Sequence, residues 1–212
     1  MGALPTTERG RVTRQRIVAA ATEVVAEKGA AGASLDEVGA RAPASRSQLY
    51  HYFDDKDDLL RSVAEATNET VLGAQQDLFA GLETWDGWVR WTDALVGLQR
   101  ERGGRGGCPI ANLLGQLGEH DEEIRVVLAS GFDRWQASIR GGLAAMVESG
   151  ELRPDTDVDW LAGSTLASLQ GGFVLSQARR DPEALRRALN GALALIAIHL
   201  SSDRAAPGGN LQ

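Results

Sequence analysis

Residues 34–53, Ser34-Leu35-Asp36-Glu37-Val38-Gly39-Ala40-Arg41-Ala42-Pro43-Ala44-Ser45-Arg46-Ser47-Gln48-Leu49-Tyr50-His51-Tyr52-Phe53, decide the fold. Ser34 reads as a helix N-cap, and Glu37 three residues later completes the pattern of a capping box. Leu35, Val38 and Ala42 give this short helix an apolar side, and Pro43 breaks it. Ser45 caps a second short helix. There Leu49 and Phe53 stand four residues apart and share the inner face, which turns Arg46, Ser47, Gln48, Tyr50 and His51 outward. Two short helices joined by a tight break, behind a longer first helix, make a helix-turn-helix that projects its second helix into the major groove. Arginine suits the guanine edge and glutamine the adenine edge, while serine, tyrosine and lysine suit phosphates. An outward polar face on an isolated helix is usually just solvated. Here its donor-rich, acid-poor composition and its place behind a capped helix and a break favour a DNA-reading role.

Working outward, Thr13 to Lys28 places Ile17, Ala20, Ala21, Val24 and Val25 on one face, with Gly29 as a stop. Asp54 and Asp55 cap a long helix from Lys56 that carries Leu59, Leu60, Val63, Val71 and Leu78. Further helices are predicted over 84–102, 109–117, from 121 or 122 to 150, 157–179 and 182–200. Gly103 to Gly107 forms a loop, and Pro109 suits a first helical turn. No stretch alternates with period two, so no sheet is expected. The prediction is an all-α chain of about nine helices: a flexible basic arm (1–10), a three-helix helix-turn-helix domain (11–55), a ligand-binding and dimerisation domain (56–201) and a disordered tail (202–212).

Charge supports that division. The chain carries a net charge of -7, but residues 1–53 hold seven Lys/Arg against five Asp/Glu, and the rest holds 15 against 24. The excess is small; a basic head on an acidic body fits a phosphate-facing surface at one end. A single cysteine builds neither an intrachain disulfide nor a cysteine-based zinc cluster, so no metal or cofactor is expected. No apolar run reaches 18 residues, and the polar, basic N-terminus does not resemble a signal peptide. A cytoplasmic protein that does not engage membranes is expected.

The stretch Ser34 to Val38, then Leu49-Tyr50-His51-Tyr52-Phe53 and Lys56-Asp57-Asp58-Leu59-Leu60, resembles the DNA-binding head of the TetR family of one-component regulators. Residues 14–29, RQRIVAAATEVVAEKG, resemble that family's first helix. The match spans residues 12–60. The resemblance implies that Ser34, Tyr50 and Lys56 hold phosphates and that the recognition helix runs from about Ser45 to Tyr52. It also implies an all-helical homodimer with a small-molecule effector pocket in each body. The chain departs from the family pattern at Pro43, where glycine is usual, at Gly39, where a small alanine is usual, and at Arg46-Ser47, where Lys-Gly is frequent. Proline can hold a turn by fixing φ. The DNA-contacting set is thus Ser34, Ser45, Arg46, Ser47, Gln48, Tyr50, His51 and Lys56.

Gly107-Cys108-Pro109-Ile110-Ala111-Asn112-Leu113 resembles a segment of a TetR subgroup at the start of the sixth helix. Cys108 stands at a helix N-terminus near Arg105, a setting that favours thiolate and a sensing role; the plainer reading is a small apolar residue of the pocket wall. Trp85, Trp88 and Trp91 recur at helical spacing, and Phe132 and Trp135 lie on a later helix. Aromatics so placed are more often core than ligand cage, but their clustering nominates Trp85, Trp88, Cys108, Asn112, Phe132 and Trp135 as pocket residues. Gly163, Ala167 and Gly171 form a small-residue face, and Leu185, Leu189, Leu193, Ile196 and Leu200 an apolar stripe. Together they suggest half of a four-helix bundle completed by a second subunit.

The reading is a ligand-responsive regulator, most simply a repressor released from a palindromic operator by a small molecule. The alternative is a ligand-independent architectural DNA binder, which has little use for so large a body. An enzyme pairing Cys108 with a histidine has almost no support, because His120 carries no orienting motif and His51 and His199 lie on other helices.

Overall fold

The computed structural model describes residues 5–201. They form ten helices: α1 (Glu8–Gly32), α2 (Leu35–Arg41), α3 (Arg46–Tyr52), α4 (Lys56–Gly73), α5 (Gln76–Ala80), α6 (Trp85–Glu101), α7 (Pro109–Leu117), α8 (Glu122–Glu148), α9 (Val158–Arg179) and α10 (Glu183–Ala197). Among the described residues the sole β pairing is an isolated antiparallel bridge between Leu152 and Leu200. By packing, the chain divides into two units. The first comprises the residues up to Gly73 with Pro109–Phe132; the second comprises Ala74–Cys108 with the residues from Asp133 onward. This division by packing does not fall at 55/56, because α4 packs on α1 and α7.

In the first unit, α1 packs on α2, α4 and α7, and α2 packs on α3. Ile17, Val18, Ala21, Val24, Val38, Leu49, Phe53, Leu59, Leu60 and Val63 are buried. Each fully buried aliphatic or aromatic side chain of this kind contributes roughly 1.5–3 kcal/mol. Most starts are capped as expected. The Ser34 hydroxyl accepts from Glu37 N at 3.3 Å. Asp55, rather than Asp54, caps α4, accepting from Asp58 N at 2.8 Å, and the Asp58 carboxylate reaches back to Asp54 N at 3.2 Å.

Several boundaries differ from expectation, each for a local reason. The arm expected over 1–10 is already helical from Glu8, because Thr7 caps α1 by accepting from Gly10 N at 3.2 Å and Glu8 pairs with Arg11. Residues 1–4 of that arm and the tail at 202–212 lie outside the described residues. Gly29 interrupts the first helix as expected: its φ of 76 and ψ of 164 are non-helical, and a further short turn continues beyond it to Gly32. The Glu37 carboxylate does not close a capping box with Ser34; it pairs with Lys28 at 2.5 Å. The long helix from Lys56 stops at Gly73, and Leu78 falls in the separate α5. In between, buried Gln75 accepts from the Trp91 indole N–H at 3.0 Å. This extra piece raises the count to ten and makes the Pro109 helix the seventh. The last helix ends at Ala197; Ile198 and His199 form a turn, and the chain then bridges back to residues 151–153, with Arg153 N donating to His199 O at 2.9 Å and Ser201 N to Glu151 O at 3.0 Å.

The second unit is built on α6, α9 and α10, with α5 against α6. Trp88, Trp91, Ile139, Leu143, Leu161, Leu169, Leu185, Leu189 and Ile196 fill its core. Leu185, Leu189 and Ile196 therefore do not form a stripe for a partner. They pack inside the subunit, and the outward residues of α10 are Arg187, Asn190, Gly191 and Ala194.

The turn between α2 and α3 is unusually close. Ala44 N donates to Gly39 O at 2.9 Å. A Cβ on Gly39 would meet Ala44 O at 2.9 Å and Leu49 Cδ1 at 3.3 Å, so this turn has no room for the usual alanine. Pro43 sits at φ 25, where glycine is at ease and the proline ring is not, so it does not hold the turn through its ordinary φ. Gly39→Ala is therefore expected to destabilise the protein by about 1–2 kcal/mol, despite alanine's better helix propensity. Urea unfolding checks this; stabilisation by about 1 kcal/mol, the ordinary helical gain, would contradict the close approach.

Candidate nucleic-acid interface

Two short amphipathic helices position the site. Leu49 and Phe53, each 2% exposed, seat α3, and the Arg14 guanidinium lies over the Phe53 ring at 5.1 Å from its centroid. Arg14 also donates from Nη2 to Ser62 Oγ at 2.6 Å, so one α1 side chain touches the end of α3 and the body of α4. With its inner face fixed, α3 turns the rest out: Ser45, Arg46, Ser47, Gln48, Tyr50 and His51 are all exposed.

These side chains are ordered among themselves. Ser45 Oγ accepts from Gln48 N at 3.3 Å, and Gln48 Oε1 accepts from Ser45 N at 2.9 Å. The reciprocal capping box thus belongs to α3. Arg46 stacks over the Tyr50 ring at 5.9 Å, and the neighbouring Tyr50 and Asp36 strengthen the guanidinium's hold on its proton. His51 and Tyr52 meet edge to face at 4.9 Å. Ser45 and Ser47 hydroxyls lie 3.0 Å apart. The face bears one arginine, one histidine and no carboxylate, as a polyanion partner requires. On α1 and α2, Arg41 grips Glu27 through two bonds of 2.7 Å, which holds the Glu27 carboxyl below its ordinary value.

Of the residues assigned to phosphates, Ser34 is exposed at the start of α2 and Tyr50 is 49% exposed. Lys56 is half-buried in the first turn of α4, its Nζ 3.5 Å from Ala31 O.

Asn112 and Phe132 belong to the first unit, and Trp85, Trp88, Cys108 and Trp135 to the second. Trp88 is core: it donates to Leu82 O at 2.9 Å and meets Trp91 edge to face at 5.7 Å. Cys108 is only 2% exposed, which shields the thiol from reagents in this state. Trp135 differs, since its buried indole N–H has no protein partner, and neither have the buried Gln99 Oε1 and Thr165 Oγ1 in the same unit. One surface cleft of about 450 Å³ lies beside Glu83, Ser149 and Glu151, and another of about 430 Å³ lies between α1 and α4. None of the six nominated residues lines either one.

Sequence reading missed the ties that hold the first unit together. Gln116 of α7 accepts from Ala30 N at 2.7 Å, beside the Gly29 kink. Asn68 donates to Val127 O at 2.7 Å, and Arg61 pairs with Glu123 at 2.8 Å, joining α4 to the first turns of α8.

Known proteins share this arrangement. Residues 17–63 match the family model described as bacterial regulatory proteins, tetR family, and residues 89–192 match a tetracyclin repressor-like C-terminal domain. A transcriptional repressor of Mycobacterium sp. (strain GP1), DhaR, is 25% identical over 81% of this chain and 86% of its own. An uncharacterised helix-turn-helix regulator of Mycobacterium tuberculosis is 28% identical over 79% of this chain and 86% of its own. In fold, the chain is similar to a TetR-family regulator of Cytophaga hutchinsonii, with a TM-score of 0.79 at 20% identity over 93% of this chain and all of that one. It is also similar to reduced NemR of E. coli, with a TM-score of 0.75 at 18% identity over 90% and 99%.

Lys56→Ala is expected to weaken binding to every duplex sequence alike and to lower the salt slope, log K against log salt, by about 1. Fluorescence titration of the full-length protein at several salt concentrations checks this. An unchanged affinity and slope would take Lys56 out of the interface.

Proposed function

Because the chain belongs to the TetR family of transcriptional regulators, we propose that it is a ligand-responsive repressor that binds a palindromic operator as a homodimer. The observation that carries the reading is the outward face of α3, with Arg46, Ser47, Gln48, Tyr50 and His51 exposed above buried Leu49 and Phe53. Ser34, Ser45 and Lys56 supply flanking contacts to the backbone of the duplex. The setting is the cytoplasm, where DNA and effector meet.

The dimer forms through the outer faces of α9 and α10. Ala167, Gly171, Val174 and Leu175 are exposed on α9, and Gly191 and Ala194 on α10. A Cβ added at Gly171 or Gly191 meets nothing within 4 Å inside the subunit. Small and apolar residues facing outward permit close approach of two helices from a second copy, and a two-fold assembly presents two recognition helices to two half-sites.

The effector binds in the second unit. A buried indole N–H without a partner is costly, so Trp135 Nε1 offers a donor for an acceptor on the small molecule, with Gln99 and Thr165 as further polar contacts. Trp135 lies on α8, whose first turns are tied to α4 by Asn68 and Arg61. A shift of α8 on effector binding passes to α4 through those ties and alters the head spacing. The effector acts only through its differential affinity for the two spacings, and a few kcal/mol suffice for release.

Ala167→Arg tests the assembly. Residue 167 is exposed in the subunit, so the variant should keep its helical content and melting behaviour yet run as a monomer in light scattering at micromolar concentration. Its affinity for a duplex selected by the wild type should fall by at least about a hundredfold, the loss of bivalent binding. In the same assay, a panel of small molecules should contain compounds that release the wild type from that duplex. A wild type that is monomeric and binds as tightly as the variant would overturn the proposal.

A further inference from the structure

The capping box of α3 bears on what Gln48 can read. A glutamine that recognises adenine does so with two bonds: its carbonyl oxygen accepts from the N6 amine and its amide nitrogen donates to N7. Both branches of the amide must turn to the base together. Here Oε1 is drawn back to the helix start, where it accepts from Ser45 N at 2.9 Å. The oxygen and nitrogen branches diverge by roughly 120° from a trigonal carbon, so the Nε2 branch is directed away from that contact.

Releasing Oε1 is costly. It would leave the Ser45 N–H without its partner and remove one half of a cap on a helix of seven residues, Arg46–Tyr52. A short helix depends heavily on such end bonds, because its first N–H groups have no intrahelical acceptors. The other half of the box, Gln48 N to Ser45 Oγ at 3.3 Å, forms part of the same closed ring. The neighbours point the same way. Arg46, held over Tyr50 at 5.9 Å, is a pure donor with a fork that fits guanine O6 and N7.

We infer that Gln48 reads a guanine with its amide nitrogen alone, the two Nε2 hydrogens meeting the O6 and N7 acceptors, while Oε1 stays in the cap. This deepens the DNA-binding proposal and rests on it. Gln48 becomes a specificity residue for an acceptor edge, opposite to the adenine preference that its side-chain type suggests. Its structural and reading duties are then separable, because the cap uses only the oxygen.

Gln48→Glu separates them. Glutamate keeps an acceptor for Ser45 N, as the usual partner in a capping box, and removes the donor. The full-length wild type and Gln48→Glu are each used to select duplexes from a randomised library. The wild type should enrich guanine at one position per half-site, and Gln48→Glu should lose that guanine with unchanged thermal unfolding. Replacing the selected guanine by 7-deazaguanine, which lacks the N7 acceptor, should weaken wild-type binding by roughly fivefold to a hundredfold and leave Gln48→Glu unaffected. The inference is overturned if the wild type enriches any other base at the position that Gln48→Glu alters, most pointedly an adenine whose 6-amino group is needed for binding. It is overturned equally if both proteins enrich the same sites. A library from which the wild type enriches nothing would instead defeat the DNA-binding reading itself.

Discussion

Leu49 and Phe53 are the contact on which the first unit's purpose depends. Their side chains are 2% exposed, and with Val38 they close the small core that α1, α2 and α3 share. At roughly 1.5–3 kcal/mol for each buried side chain, the pair fixes the rotation of α3 about its own axis. Rotation is what matters for a seven-residue helix, since a slip by one position would carry Arg46, Gln48 and Tyr50 away from the solvent face and replace them with apolar groups. The donor face exists because the apolar face has one good place to go.

The same economy appears at the helix ends. Ser45 and Gln48 close a reciprocal box, Thr7, Ser34 and Thr84 cap their helices through hydroxyls, and Asp55 and Asp58 share the start of α4. For helices as short as α2 and α3, seven residues each, these bonds hold what propensity alone does not. They also constrain function, because a side chain used as a cap is not free to recognise a base with all of its atoms. The Gly39 and Pro43 turn is part of this compression: the chain returns close enough to α2 that only glycine fits.

Much of this was legible in the sequence. Cap residues, the four-residue spacing of Leu49 and Phe53, and the apolar face from Ile17 to Val25 are local signals, and they placed α2 and α3 within a turn, while α1 begins five residues before the expected Thr13. The outward residues of α3 followed directly. What was not legible is non-local. Gln116 meets Ala30 across 86 residues of chain, Asn68 meets Val127 across 59, and Arg14 meets Ser62 across 48. No periodicity announces such pairs. The α10 leucines failed for a related reason. An apolar stripe records that one face is buried, not whether its own subunit or a partner buries it, and Leu185, Leu189 and Ile196 turn inward. Glu37 illustrates competition: its spacing from Ser34 suits a capping box, yet Lys28, brought near by packing of α1 on α2, takes the carboxylate.

The account's central claim is that the α3 face of a dimer engages successive major grooves of DNA. Hydroxyl-radical footprinting of the full-length wild type on the duplex upstream of its own gene measures this directly. The account predicts two protected patches related by a palindrome, with centres about one helical turn or slightly more apart. A single unpaired patch, or uniform protection without a repeat, would contradict it.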